Sequence, residues 1–292
     1  MYNGINICLG DDLMYKVVAD SSNEVNESFL ERYPVDLVPF KLYIEGKEYI
    51  DDTTLDVDYF VEEMKRSKET PKTSCPSPSD FLDHIKGMAE EVYMVTISSR
   101  LSGTFNSAVL AKNLYEDEFG KNKFIHIFDS RGASASETLV TKKIHDLKQM
   151  NISPEVLVEK VEQYISDMKV FFISESLDNL IKNGRISKWK GLIASTLKIM
   201  PIMGANQDGE IILHEKVRNT NKAYARLIEM LQSEIVNGGK KIVAITHVGN
   251  FERAQQIKDE LMKNNDLDEV ISIKCAGLSS LYADKKGVIV AL

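Results

Sequence analysis

Two loops of the sequence combine hydroxyl side chains with the start of a predicted helix. Thr73-Ser74 lies in a loop before a helix that begins at Pro78, and Ser102-Gly103-Thr104 opens another helix. A helix N-terminus presents unpaired N–H groups and a positive partial charge, which suits an anion. Ser and Thr hydroxyls add donors without adding charge, and hydrogen bonds to an ionised acceptor are stronger than neutral ones. The two loops therefore predict a site for a small anion such as a carboxylate.

The same residue types also have a purely structural interpretation. Ser and Thr are common N-caps, so one capped helix by itself indicates only a capped helix. However, two further predicted strands also end in polar residues, at Asp20-Ser21-Ser22 and Asp129-Ser130. In an open α/β sheet, ligands bind outside the carboxyl ends of the strands, so loops that meet at this edge favour ligand binding.

The elements that must position these loops alternate between strands and helices. Apolar runs at Tyr15–Ala19, Val92–Ile97 and Phe124–Phe128 predict buried strands, and helical spacing follows each of the later polar loops. The alternation predicts an α/β fold with an N-terminal, mainly parallel sheet flanked by helices. We assign residues 1–152 to this domain, with residues 1–13 as an extension before the first strand.

The second half of the chain has a different pattern. Residues 151–154 form a natural break, because a serine that can cap a helix is followed by a proline, which suits the first helical position. Beyond the break, Ile199–Met203 and Glu210–Val217 predict an antiparallel hairpin, and helices then alternate with further strands. Residues 153–292 are therefore predicted to form an α+β domain.

Composition and charge exclude several classes of function. The chain has 292 residues and a formal charge of −8 without a basic stripe, so we expect neither nucleic acid nor an anionic membrane surface as a partner. No apolar stretch reaches the length of a membrane span, and the N-terminus lacks the features of a signal peptide. Cys8, Cys75 and Cys275 lie far apart, which disfavours disulfides or a metal site and fits a reducing environment. We expect a cytoplasmic protein.

No catalytic set is visible in the sequence. It contains neither a G-x-S-x-G elbow nor a G-x-x-x-x-G-K-[ST] loop, and its five histidines form no H-x-x-x-H pair. A nucleophilic Ser102 or Cys75 would need a base as its partner, and the sequence shows none. A hydrolase, or an acyl or phosphoryl transferase that uses Ser102 or Cys75, is the alternative to a binding protein.

Five segments of the chain together resemble the DegV family in their order and spacing. These segments are Val17–Ser22, Lys72–Ser77, Leu101–Ala108, Phe128–Ser130 and Leu180–Ser187. The match runs from about Tyr15 to the C-terminus. The better-understood members of this family are fatty-acid-binding subunits of bacterial fatty-acid kinases.

The resemblance implies a DegV-like two-domain fold with a lipid tunnel, and a long-chain fatty acid whose carboxylate is held by the two hydroxyl motifs. It also implies an arginine that lies near the head-group site or the face that docks the kinase. Carried over by position, the ligand-binding residues are Thr73, Ser74, Ser102, Gly103, Thr104 and Arg185. It also implies that the acid is presented to a separate kinase, and that the chain itself is no enzyme and needs no cofactor. Candidate residues for the apolar tunnel are Leu192, Ile193, Leu197, Ile199, Met200, Ile202 and Met203.

The sequence departs from the family pattern near its C-terminus. The family has a His-Thr-Gly-Pro-Gly segment there, whose histidine helps to hold the carboxylate, whereas Cys275–Asp284 contains no histidine. Ser279 or Ser280 falls near that place, and we include Ser280 among the predicted ligand-binding residues. A family member that binds a different carboxylate is therefore a third hypothesis.

Overall fold

The computed structural model describes residues 15–186, 199–239, 242–264 and 266–292. The strands are β1 (Tyr15–Asp20), β2 (Asp36–Val38), β3 (Lys41–Ile44), β4 (Lys47–Ile50), β5 (Lys72–Ser74), β6 (Glu91–Thr96), β7 (Phe124–Asp129), β8 (Val170–Ile173), β9 (Ile199–Ala205), β10 (Ile211–Arg218), β11 (Ile242–His247), β12 (Glu269–Lys274) and β13 (Val288–Ala291). The helices are α1 (Glu27–Arg32), α2 (Val57–Arg66), α3 (Pro78–Ile85), α4 (Thr104–Phe119), α5 (Ala135–Lys148), α6 (Pro154–Asp167), α7 (Asp178–Lys182), α8 (Thr220–Gly238), α9 (Phe251–Asn264) and α10 (Gly277–Ala283). The predicted extension over residues 1–13 lies outside these ranges.

A four-stranded sheet of order β2-β1-β6-β7 is parallel throughout, and we call it the parallel sheet. Its central strands are almost entirely buried, because α3 and α4 cover one face while α5 and α6 cover the other. The predicted parallel sheet flanked by helices is therefore confirmed. Helix α6 follows the predicted domain boundary at residue 152, yet it packs on this sheet through Leu157, Val161 and Ile165. The boundary itself stays a prediction.

A six-stranded sheet of order β10-β9-β8-β13-β11-β12 forms most of the second half. All its strand pairs are antiparallel except β11 with β12, which agrees with the predicted α+β architecture. Helices α8 and α9 bury one face, while α5 contacts β11 and β13. Helix α5 therefore lies between this sheet and the parallel sheet. Within the described ranges, no helix combines the length and apolar composition that crossing a membrane would require.

A small antiparallel sheet of order β4-β3-β5 completes the fold. The β3–β4 hairpin turns at Glu45-Gly46, as the sequence predicts, with positive φ angles of 50° and 78°. The sequence pattern predicts a loop over Glu69–Ser79, and this prediction is wrong for Lys72–Ser74, which pairs with β3 as β5. A three-residue strand has too few positions to show alternation, so only its distant partner defines it.

The helix starts follow the predicted capping pattern in the Pro/Ser-rich segment. Ser77 accepts a hydrogen bond from the Asp80 N–H, and the Asp80 carboxylate accepts one from the Ser77 N–H, which completes a capping box before Pro78. Helix α6 begins in the same way, with Ser153 as N-cap. By contrast, Gly103 caps α4 without a side-chain hydrogen bond. The hydroxyls beside α4 are therefore not used as caps.

The two halves meet closely at the turn of the β9–β10 hairpin. Ser98, which follows β6 in the parallel sheet, donates a hydrogen bond of 2.8 Å to the carbonyl of Gly209 in that turn. Gly209 has a φ of +81°, and a Cβ at this position would clash with Ser98 Oγ and lie 2.9 Å from Arg131 Cα. Only glycine allows this approach without displacing the neighbouring chain.

We expect Gly209→Ala to lower the free energy of unfolding in urea more than Gly46→Ala does. Both glycines have a positive φ, which costs an alanine about 1–2 kcal/mol. Gly46 has open space around it, so its variant measures the backbone cost alone. The clash at Gly209 should add about 1–3 kcal/mol. Equal losses in the two variants would contradict a tight contact between the two halves.

Candidate functional site

An apolar cavity lies where the three sheets meet. Its empty volume is about 830 Å³, a figure that includes the part open to solvent. Its apolar wall is formed by Phe40, Ile97, Leu101, Ala133, Val170, Phe172, Leu180, Ala205, Ile211, Leu278, Ala283 and Ile289. The cavity suits a ligand that is mostly hydrocarbon.

Five hydroxyl side chains interrupt the apolar lining, and we call them the hydroxyl wall. They are Ser22, Thr73, Ser102, Ser279 and Tyr282. The guanidinium of Arg185 also lines the cavity and lies over the Tyr282 ring, 5.4 Å from its centroid. Hydroxyl donors beside one cation in an apolar cavity can hold a single anionic group.

Contacts within the hydroxyl wall hold several of its members in fixed positions. Thr73 Oγ1 lies 2.9 Å from the hydroxyl oxygen of Tyr282, within hydrogen-bond distance. Arg185 donates through Nε to the carbonyl of Leu101, at 3.1 Å, and through Nη1 to the carbonyl of Asn183, at 2.7 Å. The arginine is therefore anchored to the loop that carries Ser102 and keeps its charge at the cavity.

Three of the predicted ligand-binding residues line the cavity, namely Thr73, Ser102 and Arg185. Two others lie beside it. Thr104 is fully buried with its hydroxyl 2.8 Å from that of Ser102, and Gly103 approaches the sulfur of Cys75. These positions bring the predicted residues of both motifs to one region, while their contacts with a ligand stay predictions.

The remaining two predicted residues point elsewhere. Ser74 is exposed, and its hydroxyl is 3.5 Å from the carbonyl of Cys75. Ser280 is buried and donates to the carbonyl of Cys275, at 3.4 Å, whereas its neighbour Ser279 lines the cavity. Adjacent helical residues project about 100° apart, so Ser279 and Ser280 have different surroundings.

The structure adds residues that the sequence patterns left unassigned. Ser22 follows β1 in a loop that the sequence marks as polar, but nothing in its spacing indicates that it reaches the cavity. Tyr282 lies one turn after Ser279 on α10, a helix whose short pattern gave no signal. Tyr282 is recognised from its contact with Thr73, and Ser22 from its place in the cavity lining, and both depend on the fold.

The predicted tunnel residues that the structure describes do not line this cavity. Leu192, Ile193 and Leu197 lie outside the described residues. Of those on β9, Ile202 packs beneath α8 and Met203 is buried in the core. The β9 residues that line the cavity are Gly204 and Ala205 instead. A pattern of apolar residues identifies a buried strand, but it does not tell which neighbour each side chain contacts.

The two candidate nucleophiles lie beside uncharged neighbours. In the described part of the chain, the hydroxyl of Ser102 is hydrogen bonded to that of Thr104. The Cys75 side chain is partly buried and its sulfur faces Gly103. An activated serine or cysteine is expected to contact a base such as histidine or a carboxylate.

Four carboxyl groups lie buried next to the hydroxyl wall, and we call them the acid cluster. They are Asp20, Glu24, Asp51 and Glu137, each 1% exposed or less. Asp20 accepts the N–H groups of Ser22, at 2.9 Å, and Ile97, at 2.8 Å. Asp51 accepts the first two N–H groups of α10, at 2.7 and 3.0 Å. These two acids therefore fix the backbone around the cavity.

Glu24 and Glu137 contact the hydroxyl wall itself. The Glu24 carboxyl accepts the Ala276 N–H, at 2.7 Å, and the Ser134 hydroxyl, at 3.1 Å, and it lies beside the hydroxyl of Ser279. Glu137 lies beside Ser22, but neither of its oxygens has a hydrogen bond of normal geometry. A buried polar group without a good partner is costly and points to a functional role or to a neutral form.

Burial disfavours the charged form of every member of the acid cluster. Desolvation raises the pKa of Asp51 to about 6, that of Asp20 to about 7 and that of Glu24 to about 8, although hydrogen bonds oppose the rise. It raises the pKa of Glu137 well above its usual value, and the nearby Asp20 adds to the rise. Near neutral pH, Glu24 is therefore mainly protonated, and burial favours the protonated form of Glu137 as well.

The strained backbone of Ser134 indicates how tightly this region is held. Ser134 precedes α5 with φ 58°, a region that non-glycine residues rarely adopt. Its hydroxyl contacts Glu24 and lies 2.7 Å from that of Thr246, while its N–H donates to Ser22 Oγ. Such a conformation costs about 1–3 kcal/mol and persists only where contacts with neighbouring residues impose it. The hydrogen bonds from both halves of the chain do so here.

Comparisons with known proteins agree with the resemblance seen in the sequence. The family model described as "Uncharacterised protein, DegV family" matches residues 14–287. A DegV domain-containing protein of Streptococcus pneumoniae is 30% identical over 285 residues, which are 95% of this chain and 98% of that relative. Another, from Streptococcus pyogenes serotype M1, is 34% identical over 282 residues, with the same coverage of both proteins.

Three similar solved structures contain fatty acids. A DegV family protein from Ruminococcus gnavus with vaccenic acid has a TM-score of 0.91 and 37% identity, covering 96% of this chain and 100% of its own. One from Eubacterium eligens, loaded with heptadecanoic acid, has a TM-score of 0.85 and 26% identity. The Streptococcus pneumoniae Fatty Acid Kinase (Fak) B3 protein, loaded with linoleic acid, has a TM-score of 0.84 and 30% identity. The last two cover 95% of this chain and 98% of their own.

We compare the free energies of unfolding of Glu137→Gln and the wild type. As the pH rises from 5 to 8, we expect their difference to change in favour of the variant. In that interval the folded wild type retains a proton that the unfolded chain has released, so its free energy of unfolding falls. The glutamine does not titrate. The gap should widen by more than about 1 kcal/mol, since one unit of pKa shift corresponds to about 1.4 kcal/mol.

Urea unfolding at several pH values measures this gap, and only its change with pH matters. Any fixed cost of placing an amide at position 137 cancels. Glu31→Gln removes an exposed acid on α1 and is the control, for which we expect a constant gap. Parallel stability curves for Glu137→Gln and the wild type would show that Glu137 is not held neutral.

Proposed function

Because the chain belongs to the DegV family, we propose that it binds a long-chain fatty acid, with the acyl chain in the apolar cavity and the carboxylate at the hydroxyl wall. The observation that carries this proposal is the cavity itself, whose lining is almost wholly apolar except for five hydroxyls and Arg185. Relatives with the same fold that hold vaccenic, heptadecanoic and linoleic acids support it.

The acyl chain and the carboxylate of the ligand make different contributions to the free energy of binding. Each buried CH₂ contributes about 0.8 kcal/mol before the costs of association are subtracted, so a long chain supplies most of the affinity. The carboxylate loses its hydration and needs replacement donors. Thr73, Ser102 and Ser279 offer hydroxyls, and Arg185 offers a positive charge. The head group therefore fixes orientation more than it adds affinity.

We further propose that the two predicted domains divide these tasks. Residues 1–152 contribute Ser22, Thr73 and Ser102 to the hydroxyl wall. Residues 153–292 contribute Arg185, Ser279 and Tyr282. They also contribute most of the apolar wall, from β8, β9, β10 and β13 and from the helices α7 and α10. Ser279 lies where the family pattern has a histidine. In this chain a hydroxyl backed by Glu24 takes that place.

We also propose that the chain is a cytoplasmic carrier that presents the bound acid to a separate kinase and performs no covalent chemistry of its own. The similar Fak B3 protein of Streptococcus pneumoniae, a fatty-acid kinase protein loaded with linoleic acid, supports the carrier assignment. The pairing of Ser102 with Thr104 argues against a serine nucleophile. No cofactor is needed for this role.

Protein purified from a bacterial host should release a long-chain fatty acid on solvent extraction, detectable by mass spectrometry. Delipidated protein should take up palmitate in preference to short carboxylates, because each lost CH₂ removes about 0.8 kcal/mol.

Loaded protein with Mg²⁺-ATP should form acyl phosphate only when a fatty-acid kinase is added. Tight binding of acetate or butyrate with no binding of palmitate would instead support a member that has changed its ligand.

Thr73→Val and Ser102→Ala should each weaken binding of palmitate, and Ser74→Ala should not. Each of the first two removes a donor that faces the cavity, and loss of a hydrogen bond to a charged group costs about 1.5–3 kcal/mol, or more than tenfold in Kd. Ser74 is exposed beside Thr73 and is the matched control. Equal effects at positions 73 and 74, measured by calorimetry, would refute this placement of the head group.

A further inference from the structure

Two hydroxyls of the hydroxyl wall each have a buried acid directly behind them. Ser279 faces the cavity and lies beside Glu24, and Ser22 faces the cavity and lies beside Glu137. Both acids are completely or almost completely buried. Neither acid lines the cavity itself, so its hydrogen-bonding influence on a ligand passes through the serine in front of it.

The Ser279 hydroxyl carries one proton and can donate it in only one direction at a time. An ionised Glu24 is the stronger acceptor and draws that proton away from the cavity. A protonated Glu24 accepts more weakly and itself becomes a donor, for which Ser279 and Ser134 are the adjacent hydroxyl acceptors. The Ser279 proton is then available to an anion in the cavity.

We propose that Glu24 is a positioning residue for the ligand head group, and that the anion binds well only when Glu24 holds a proton. This inference rests on the proposed function, because it concerns the carboxylate of a fatty acid. At any pH where Glu24 is ionised in the ligand-free protein, binding of the anion is then accompanied by uptake of a proton on Glu24. Glu137 stands in the same relation to Ser22, whose oxygen already accepts the Ser134 N–H and whose proton is left for donation.

The electrostatic surroundings of Glu24 favour the same coupling. The titratable groups that face it are Asp51 after β4, Glu137 on α5 and Cys275 after β12. All of these become negative on ionisation, and a ligand carboxylate would add a further negative charge. Burial raises the pKa of Glu24 to about 8, and it raises the pKa of the Cys275 thiol well above its usual value. A bound anion and an ionised Glu24 therefore oppose each other.

The test measures the Kd of cis-parinaric acid, a fluorescent long-chain fatty acid, between pH 6.5 and 9.5. Wild-type protein should bind about tenfold more weakly at pH 9 than at pH 7, because a group with a pKa near 8 is mainly protonated at the lower pH and mainly ionised at the higher. Glu24→Gln should lose this dependence, since the amide keeps its N–H donor throughout. Titration of the probe itself affects all variants alike and cancels in their ratio.

Two further variants separate positioning from folding. Ser279→Ala leaves Glu24 in place but removes the hydroxyl through which it acts. Its binding should be weaker at pH 7 and should lose most of the tenfold dependence, with only the charge repulsion from Glu24 remaining. Glu31→Gln removes an exposed acid and should follow the wild type at every pH. Thermal unfolding of each variant shows whether it is folded. If Glu24→Gln does not fold, the pH profile of Ser279→Ala alone tests the role of Glu24.

The possible outcomes distinguish this inference from the proposed function. Superimposable pH profiles for the wild type and Glu24→Gln, or a Ser279→Ala profile that keeps the wild-type slope, would overturn the role of Glu24. Either result would leave fatty-acid binding intact. Failure of wild-type protein to bind cis-parinaric acid at pH 7 would overturn the proposed function instead. Loss of the slope in both variants supports the inference.

Discussion

The burial of α5 on both sides is the constraint on which the rest of the structure depends. Its Val140, Ile144 and Leu147 pack against the parallel sheet, while Ala135 and Leu139 join the core beneath the six-stranded sheet. Polar groups of this helix must then find partners inside the protein, and Glu137 is an exception. Thr138 donates to the carbonyl of Glu24, and His145 contacts Tyr15 and the carbonyl of Pro34. The cavity exists because two sheets share one central helix.

The hydroxyl wall draws on all three sheets rather than on one loop. Ser22 follows β1 and Ser102 follows β6, Thr73 lies on β5, and Ser279 and Tyr282 lie on the helix between β12 and β13. None of these hydroxyls is placed by its immediate sequence neighbours alone. Uncharged donors are suited to this place, because a lysine at each position would be drawn towards the acid cluster instead of the ligand. The strained Ser134 joins both halves at the same point.

Local signals in the sequence predict those parts of the fold that local physics determines. Long apolar runs, the capping box at Ser77 and the β3–β4 turn are confirmed, because each depends on residues a few positions apart. β5 and α10 escape prediction, since β5 is defined by pairing with β3 and α10 begins where the Asp51 carboxylate binds its first N–H groups. The choice between Ser279 and Ser280 depends on how α10 is rotated, which packing alone decides.

The position of β13 has a consequence for the order in which the protein is made. This strand lies between β8 and β11, and its Ile289 forms part of the cavity wall. During synthesis, β8 and β11 therefore have no partner across this gap until residues 288–291 have left the ribosome. Unpaired strand edges are prone to association with other chains, and distant pairing is slow. The cavity wall is therefore incomplete until β13 has been made and has paired with both of its neighbours.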